Sequence, residues 1–212
     1  MRRHACVVLT AFFVTAEIVM TDLTTNAQQK MESLTVERNN AAISASRTKP
    51  VPYIEQALQD AMSILSKNNP CSRFFGDTKT AQEVLPRLAA RFQIRLLRDS
   101  RIGLEMSGAL TYFDQTENHR AYRLFDAATI NLRGPFFKAK VFPADPYVPP
   151  VGGFRPNTRE ARVLILLHEM AHLLKGGDGN WLVPDDGDNP ALSKQNTALI
   201  ESQCRAQIRS LS

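Results

Sequence analysis

Apolar residues recur at helical spacing in four stretches of the chain, and the pattern shortens to alternation between the second and the third. The first stretch is Tyr53 to Ser66, where Ile54, Leu58, Ala61, Met62 and Leu65 share one face and Asn68-Asn69-Pro70 stops the period. Cys71 to Asp77 reads as a loop with two aromatic residues. Thr80 with Glu83 three residues on then has the form of a capping box, and Val84, Leu85, Leu88 and Phe92 supply the next apolar stripe. Pro86 lies inside that stripe, which predicts a kink there or a helix that starts only near Val84.

Between Ile94 and Phe125 the helical period is lost. Ile94 to Leu97, Ile102 to Met106 and Ala121 to Phe125 alternate as strands do, with Asp114 to Arg120 as a polar turn. Thr129 to Phe137 carries the strongest strand pattern. Gly134-Pro135 ends or bulges it, and a strand holding proline belongs at a sheet edge because proline donates no ladder hydrogen bond. Such an edge has a free side to which an extended peptide could add. Pro143 to Asn157 holds five prolines in fifteen residues and no period, so it predicts a stiff surface connection that could form one wall of a cleft. Asn157 with Glu160 repeats the capping-box form and predicts a third helix from about Thr158 to Lys175, stopped by Gly176-Gly177. Ser193 can cap a last helix with Ala198, Leu199, Ile208 and Leu211 on its apolar face. Together these elements predict one α+β domain over residues 53–212, a short sheet with an edge strand packed on the third helix and flanking helices around it.

The third helix carries chemistry. His168 and His172 are four residues apart in the run Val163 to Leu174, so both imidazoles leave one face of the helix and can reach one ion. Glu169 follows the first histidine, where a general base for a zinc-bound water has to stand. Two histidines and a glutamate beside Leu164, Ile165, Leu167, Leu173 and Leu174 are costly unless something pairs them, and a metal does. The alternative for the same residues is a pair of solvent-facing histidines on an amphipathic helix. On His168, Glu169 and His172 the chain resembles the zincin metallopeptidases, and it is similar to small secreted bacterial proteins with the same His-Glu-x-x-His motif. The resemblance implies a zincin-like fold, a zinc ion held by the two histidines, Glu169 as catalytic base, and a peptide or protein substrate aligned beside an edge strand.

A zinc held by two histidines needs a further protein ligand. His4 lies near the N-terminus and His119 in a polar turn, so a carboxylate is expected. Asp186, or its neighbour Asp185, sits in a turn held by Pro184 and Gly187 and is the first choice. Asp178 follows His172 by the metzincin spacing, but Lys175 stands where that pattern has glycine and no later methionine can form its Met-turn. Glu201 on the last helix would match the gluzincin arrangement, with Arg205 where an acidic supporter is often found. Tyr112, Tyr122, Tyr147, His119 and Arg155 are candidate oxyanion donors, and no spacing selects among them.

Composition narrows the setting. The chain has 212 residues, 43% of them hydrophobic, which suits one domain with appendages. The net charge of +5 is scattered, without a basic run or an aromatic-interleaved patch, so nucleic acid is not an expected partner. No residue pattern sets an oligomeric state. Arg2 and Arg3 followed by the apolar run to Ala16 read as a signal peptide over residues 1–27, too short for a permanent membrane anchor. Residues 28–52 read as a flexible leader. Cleavage would leave Cys71 and Cys204 as an even pair in an oxidising compartment, and predicts a disulfide between them with Cα atoms within about 7 Å. The chain is thus expected to be secreted or periplasmic, and a zinc-dependent hydrolase, most simply a metallopeptidase. The rival expectation is a secreted non-catalytic protein, either with a closed structural zinc site or as an inactive zincin-like binding module.

Overall fold

A computed structural model describes residues 50–76, 78–117, 119–139 and 147–211. The expected signal peptide and the leader up to residue 49 lie outside the described residues, as do residues 143–146 of the proline-rich connection. Among the described residues, five helices and a three-stranded mixed sheet form an α+β fold. In chain order they are α1 (Pro50–Leu65), α2 (Pro70–Phe74), α3 (Thr78–Ala89), β1 (Phe92–Arg95), β2 (Leu104–Phe113), β3 (Tyr122–Asn131), α4 (Arg159–Leu173) and α5 (Pro190–Arg209).

Helix α4 is the centre. It packs against α1, α3, α5, β2 and β3, and twelve of its fifteen residues are buried. A helix enclosed on all sides needs no polar face, which is why Val163 to Leu167 form an unbroken apolar run. Thr158 caps it, its hydroxyl accepting from the Ala161 amide at 3.2 Å. Asn157, the expected cap, instead sits at φ 61 and gives its side-chain oxygen to Arg162 at 2.5 Å.

Several boundaries move for local reasons. α1 starts at Pro50, inside the expected leader, because proline at the first helical turn has no amide bond to lose. Asn69-Pro70 does stop α1, and it also starts α2, where Asn69 and Ser72 cap each other reciprocally. The expected loop after Pro70 is therefore a short helix. Thr80 lies buried within α3 rather than at its cap, and its hydroxyl accepts from the Arg120 amide at 2.9 Å. α3 runs on through Pro86 because Ala81, Val84, Leu85 and Leu88 on its buried face hold it. α5 begins a turn before Ser193, capped by Asn189 with Pro190 at its first position.

The sheet corrects the largest expectation. Ala121–Phe125 and Thr129–Phe137 are not two strands. Tyr122 to Asn131 is one continuous strand, and in the order β1-β3-β2 it is central rather than an edge. Asp126 interrupts the apolar pattern in the sequence, but it is exposed and accepts from the Ala109 amide at 3.0 Å beside a bulge in β2. Beyond Asn131 the chain turns, because the Asn131 side chain binds the amides of Leu97 and Arg133 and the carbonyls of Asp99 and Ile102. Gly134 follows where a Cβ would come within 1.9 Å of the Ile102 carbonyl oxygen. The edges are β1, parallel to β3, and β2, antiparallel to it.

Cys71 of α2 and Cys204 of α5 are joined by a disulfide with Cα atoms 4.4 Å apart. No helix among the described residues is long and apolar enough to cross a membrane.

Candidate metal centre

The chain leaving α4 builds the rest of the site. Instead of continuing to Lys175, the helix ends at Leu173, since Leu174 bridges to Tyr122 and Lys175 to Trp181. The amide of Leu182 donates to the Leu174 carbonyl at 3.0 Å, and that of Gly176 to Asn180 at 2.7 Å, closing a hairpin. The hairpin returns Pro184, Asp185 and Asp186 to the side of the helix from which both histidines project. Asn196 of α5 pins it there, donating to the Pro184 carbonyl at 2.9 Å.

His168, His172 and Asp186 form a group that could hold a metal ion. Nε2 of His168 lies 3.2 Å from Nε2 of His172 and 3.1 Å from Oδ2 of Asp186, and Nε2 of His172 lies 3.5 Å from Oδ1 of Asp186. Ligand atoms around a tetrahedral zinc with bonds of about 2.0–2.1 Å stand about 3.3–3.4 Å apart, so the three separations match the edges of such a site.

The protons argue the same way. Nδ1 of His168 lies 3.0 Å from the Thr197 hydroxyl, which donates its proton to the Ser193 carbonyl at 2.9 Å. With that proton on the carbonyl, the hydroxyl oxygen can accept from Nδ1, which leaves Nε2 of His168 its lone pair for a cation. Nδ1 of His172 is buried without a hydrogen-bond partner, with Oδ1 of Asp185 at 3.8 Å. Oδ1 of Asp185 draws a proton to that nitrogen and Oδ1 of Asp186, 3.5 Å from Nε2, draws it to the other, and a cation between the histidines and Asp186 decides for Nδ1. The site thus turns Nε2 of His168, Nε2 of His172 and the Asp186 carboxylate toward one point, and a cation there satisfies all three.

Charge at the site is set by its enclosure. Burial lowers the pKa of His168, favouring the neutral imidazole that ligates metals; Asp186 opposes the shift and His172 adds to it. For Asp186, burial alone would push the carboxyl up, yet the bonds from His168 and His172 hold it well below the usual carboxylate range. Glu169 is raised well above the usual glutamate value, first by burial and then by the negative charges of Asp186 and Glu105. Its carboxylate accepts no hydrogen bond from any described residue.

The other candidates fall elsewhere. Asp178 is exposed in the hairpin turn, bonded to the amide and side chain of Asn180. Glu201 is buried, paired with Arg205 at 2.6 Å and accepting from the Gly153 amide, and so ties the proline-rich connection to α5. Asp185 does not join the ligand group but stands behind His172. Of the expected oxyanion donors, Tyr122 is buried against Phe113 and donates to Glu83 at 2.9 Å, with its hydroxyl pushed up to about 12 chiefly by burial. His119 bonds the Arg120 carbonyl through Nδ1, and Tyr147 and Arg155 are exposed. Tyr112 is exposed on β2 with its ring 6.3 Å from Trp181. Thr197 and Arg123 were not singled out from the sequence. A threonine inside a helix and an arginine in a strand carry no local signal for a role beside histidines.

No family model, no curated protein and no solved structure matches the chain.

Proposed function

We propose that the chain is a secreted zinc-dependent hydrolase, and among hydrolases a peptidase of zincin type. The observation that carries this is the convergence of two imidazole nitrogens and the Asp186 carboxylate at tetrahedral spacing, with Glu169 next to the first histidine on α4. Zinc bound there supplies Lewis acidity and lowers the pKa of a coordinated water toward neutrality. His168, His172 and Asp186 hold the ion, while Thr197 and Asp185 orient the imidazoles from behind. Glu169 takes a proton from the attacking water on a carboxylate oxygen and returns it to the leaving amine. Its enclosure makes the carboxylate a stronger base than an exposed glutamate.

Two further observations favour hydrolysis over a structural clamp. His168, His172 and Asp186 are the residues that would hold the ion, a three-ligand set of the kind found in catalytic zinc sites, whereas structural zinc is held by four protein ligands. β2 is an edge strand, and its approach lies against α4 one turn before Glu169, where Ile165 touches Gly103. An extended peptide can add main-chain hydrogen bonds there. The buried disulfide fits an oxidising compartment.

The test is zinc content together with cleavage of a defined peptide pool, in wild type and in Glu169→Gln. The variant is expected to keep the fold and one zinc while losing hydrolysis by at least about 100-fold. Wild-type protein that takes up no zinc, or a Gln variant of undiminished activity, would overturn the proposal.

A further inference from the structure

Resting on the metal reading above, we propose that Arg123 is a positioning residue of the centre, holding Asp185 behind His172 so that the imidazole keeps its Nε2 lone pair toward the ligand group. Arg123 is only 4% exposed, on a strand of an apolar core, and a buried guanidinium must be fully paired. Its Nε donates to the carbonyl of His172 at 2.9 Å, one of the last carbonyls of α4 and so without an amide four residues on. Its Nη2 donates to Oδ1 of Asp185. Its face lies 4.1 Å from the centre of the Trp181 ring, which has the Lys175 ammonium at 5.2 Å.

These contacts converge on one residue. The arginine grips the backbone of His172 and also the carboxylate nearest that residue's Nδ1. Asp185 by itself has a side chain 59% exposed, which solvent would draw away from the imidazole. Tied to a buried guanidinium, its Oδ1 instead stays 3.8 Å from Nδ1. The next residue in the chain is Asp186, so the same tie sets where the ligand carboxylate begins. A carboxylate behind a ligating histidine selects the tautomer and strengthens the nitrogen in front. A merely structural ion pair would hold the hairpin down without affecting which nitrogen of His172 carries the proton.

The experiment uses the full chain as wild type, Arg123→Lys, Arg123→Met and Asp185→Asn. Long-range proton–nitrogen correlation spectra of the metal-free proteins report the His172 tautomer, and competition with a chromophoric chelator reports zinc affinity. Wild type is expected to carry the proton on Nδ1 in a larger fraction than any of the variants. Asp185→Asn, which leaves the arginine with His172 and Trp181, should shift the proton toward Nε2 and weaken zinc about 10- to 100-fold. Arg123→Met should do the same, and its combination with Asp185→Asn should add little. Arg123→Lys keeps the charge but not the fork and should recover part of the loss; if the methionine variant does not fold, the lysine and asparagine variants decide. Wild-type affinity together with an unchanged tautomer in Asp185→Asn would overturn the proposal. If wild type binds no zinc, the metal reading fails, and the tautomer spectra still decide whether Arg123 and Asp185 set the imidazole.

Discussion

Thr197 on α5 stands 3.0 Å from His168 on α4 and gives its own hydroxyl proton to the carbonyl one turn behind it. A side chain that would otherwise only satisfy its own helix is thereby placed as an acceptor for Nδ1 of a histidine on another helix. α5 is tied to α2 by the disulfide, so the acceptor is carried on a braced element.

Thr197→Val keeps the shape and removes the acceptor. Zinc affinity is expected to fall about 10- to 100-fold, with Thr197→Ser recovering most of it. Chelator competition measures both, and a valine variant that binds like wild type would leave the hydroxyl without a role at the centre.

Glu169 predicts a pH-dependent stability in the metal-free protein. Its folded pKa is raised, so the stabilisation it contributes is complete below the unfolded glutamate value of about 4.3 and is lost as pH rises through the folded value. Glu169→Gln removes that loss. The metal-free variant should melt with wild type at pH 4 and above it at pH 7.5. Coincident melting at both pH values would mean the carboxyl is not kept from water.

Cys71→Ser with Cys204→Ser removes a crosslink between residues 133 apart in sequence. The chain-entropy argument assigns such a loop about 5 kcal/mol, less where the unfolded chain retains structure. Denaturant titration of the double variant should show a lower midpoint, and thiol titration of the unreduced wild-type domain should find neither cysteine free. Two reactive thiols in residues 50–212 would contradict the bridge.

Gly134→Ala tests the end of the central strand. Its Cβ would meet the Ile102 carbonyl at 1.9 Å, a backbone atom that cannot swing aside. A loss of about 1–3 kcal/mol is expected from forced overpacking. Stability equal to wild type would show that the turn after Asn131 yields more easily than its geometry implies.

His168, Glu169 and His172 were legible from spacing alone, because a helix places residues four apart on one face whatever surrounds it. The four longer helices were legible for the same reason, and the disulfide followed from the expectation that signal cleavage would leave two of the three cysteines to pair. What local pattern could not supply was everything that depends on which element lies beside which. Asp126 hid a continuous strand because its partner, the Ala109 amide, lies on a neighbouring strand, and proline after Asn131 suggested an edge where a buried asparagine side chain simply ends the strand. Among Asp178, Asp185, Asp186 and Glu201, sequence could rank but not choose. What brings Asp186, and not the others, beside the histidines is the hairpin from Leu174 to Leu182, which needs β3 as its neighbour before it can turn that residue toward them. Thr197 and Arg123 became visible only in the fold, since an acceptor or a buried cation acquires its role from the groups that tertiary packing brings within hydrogen-bond distance.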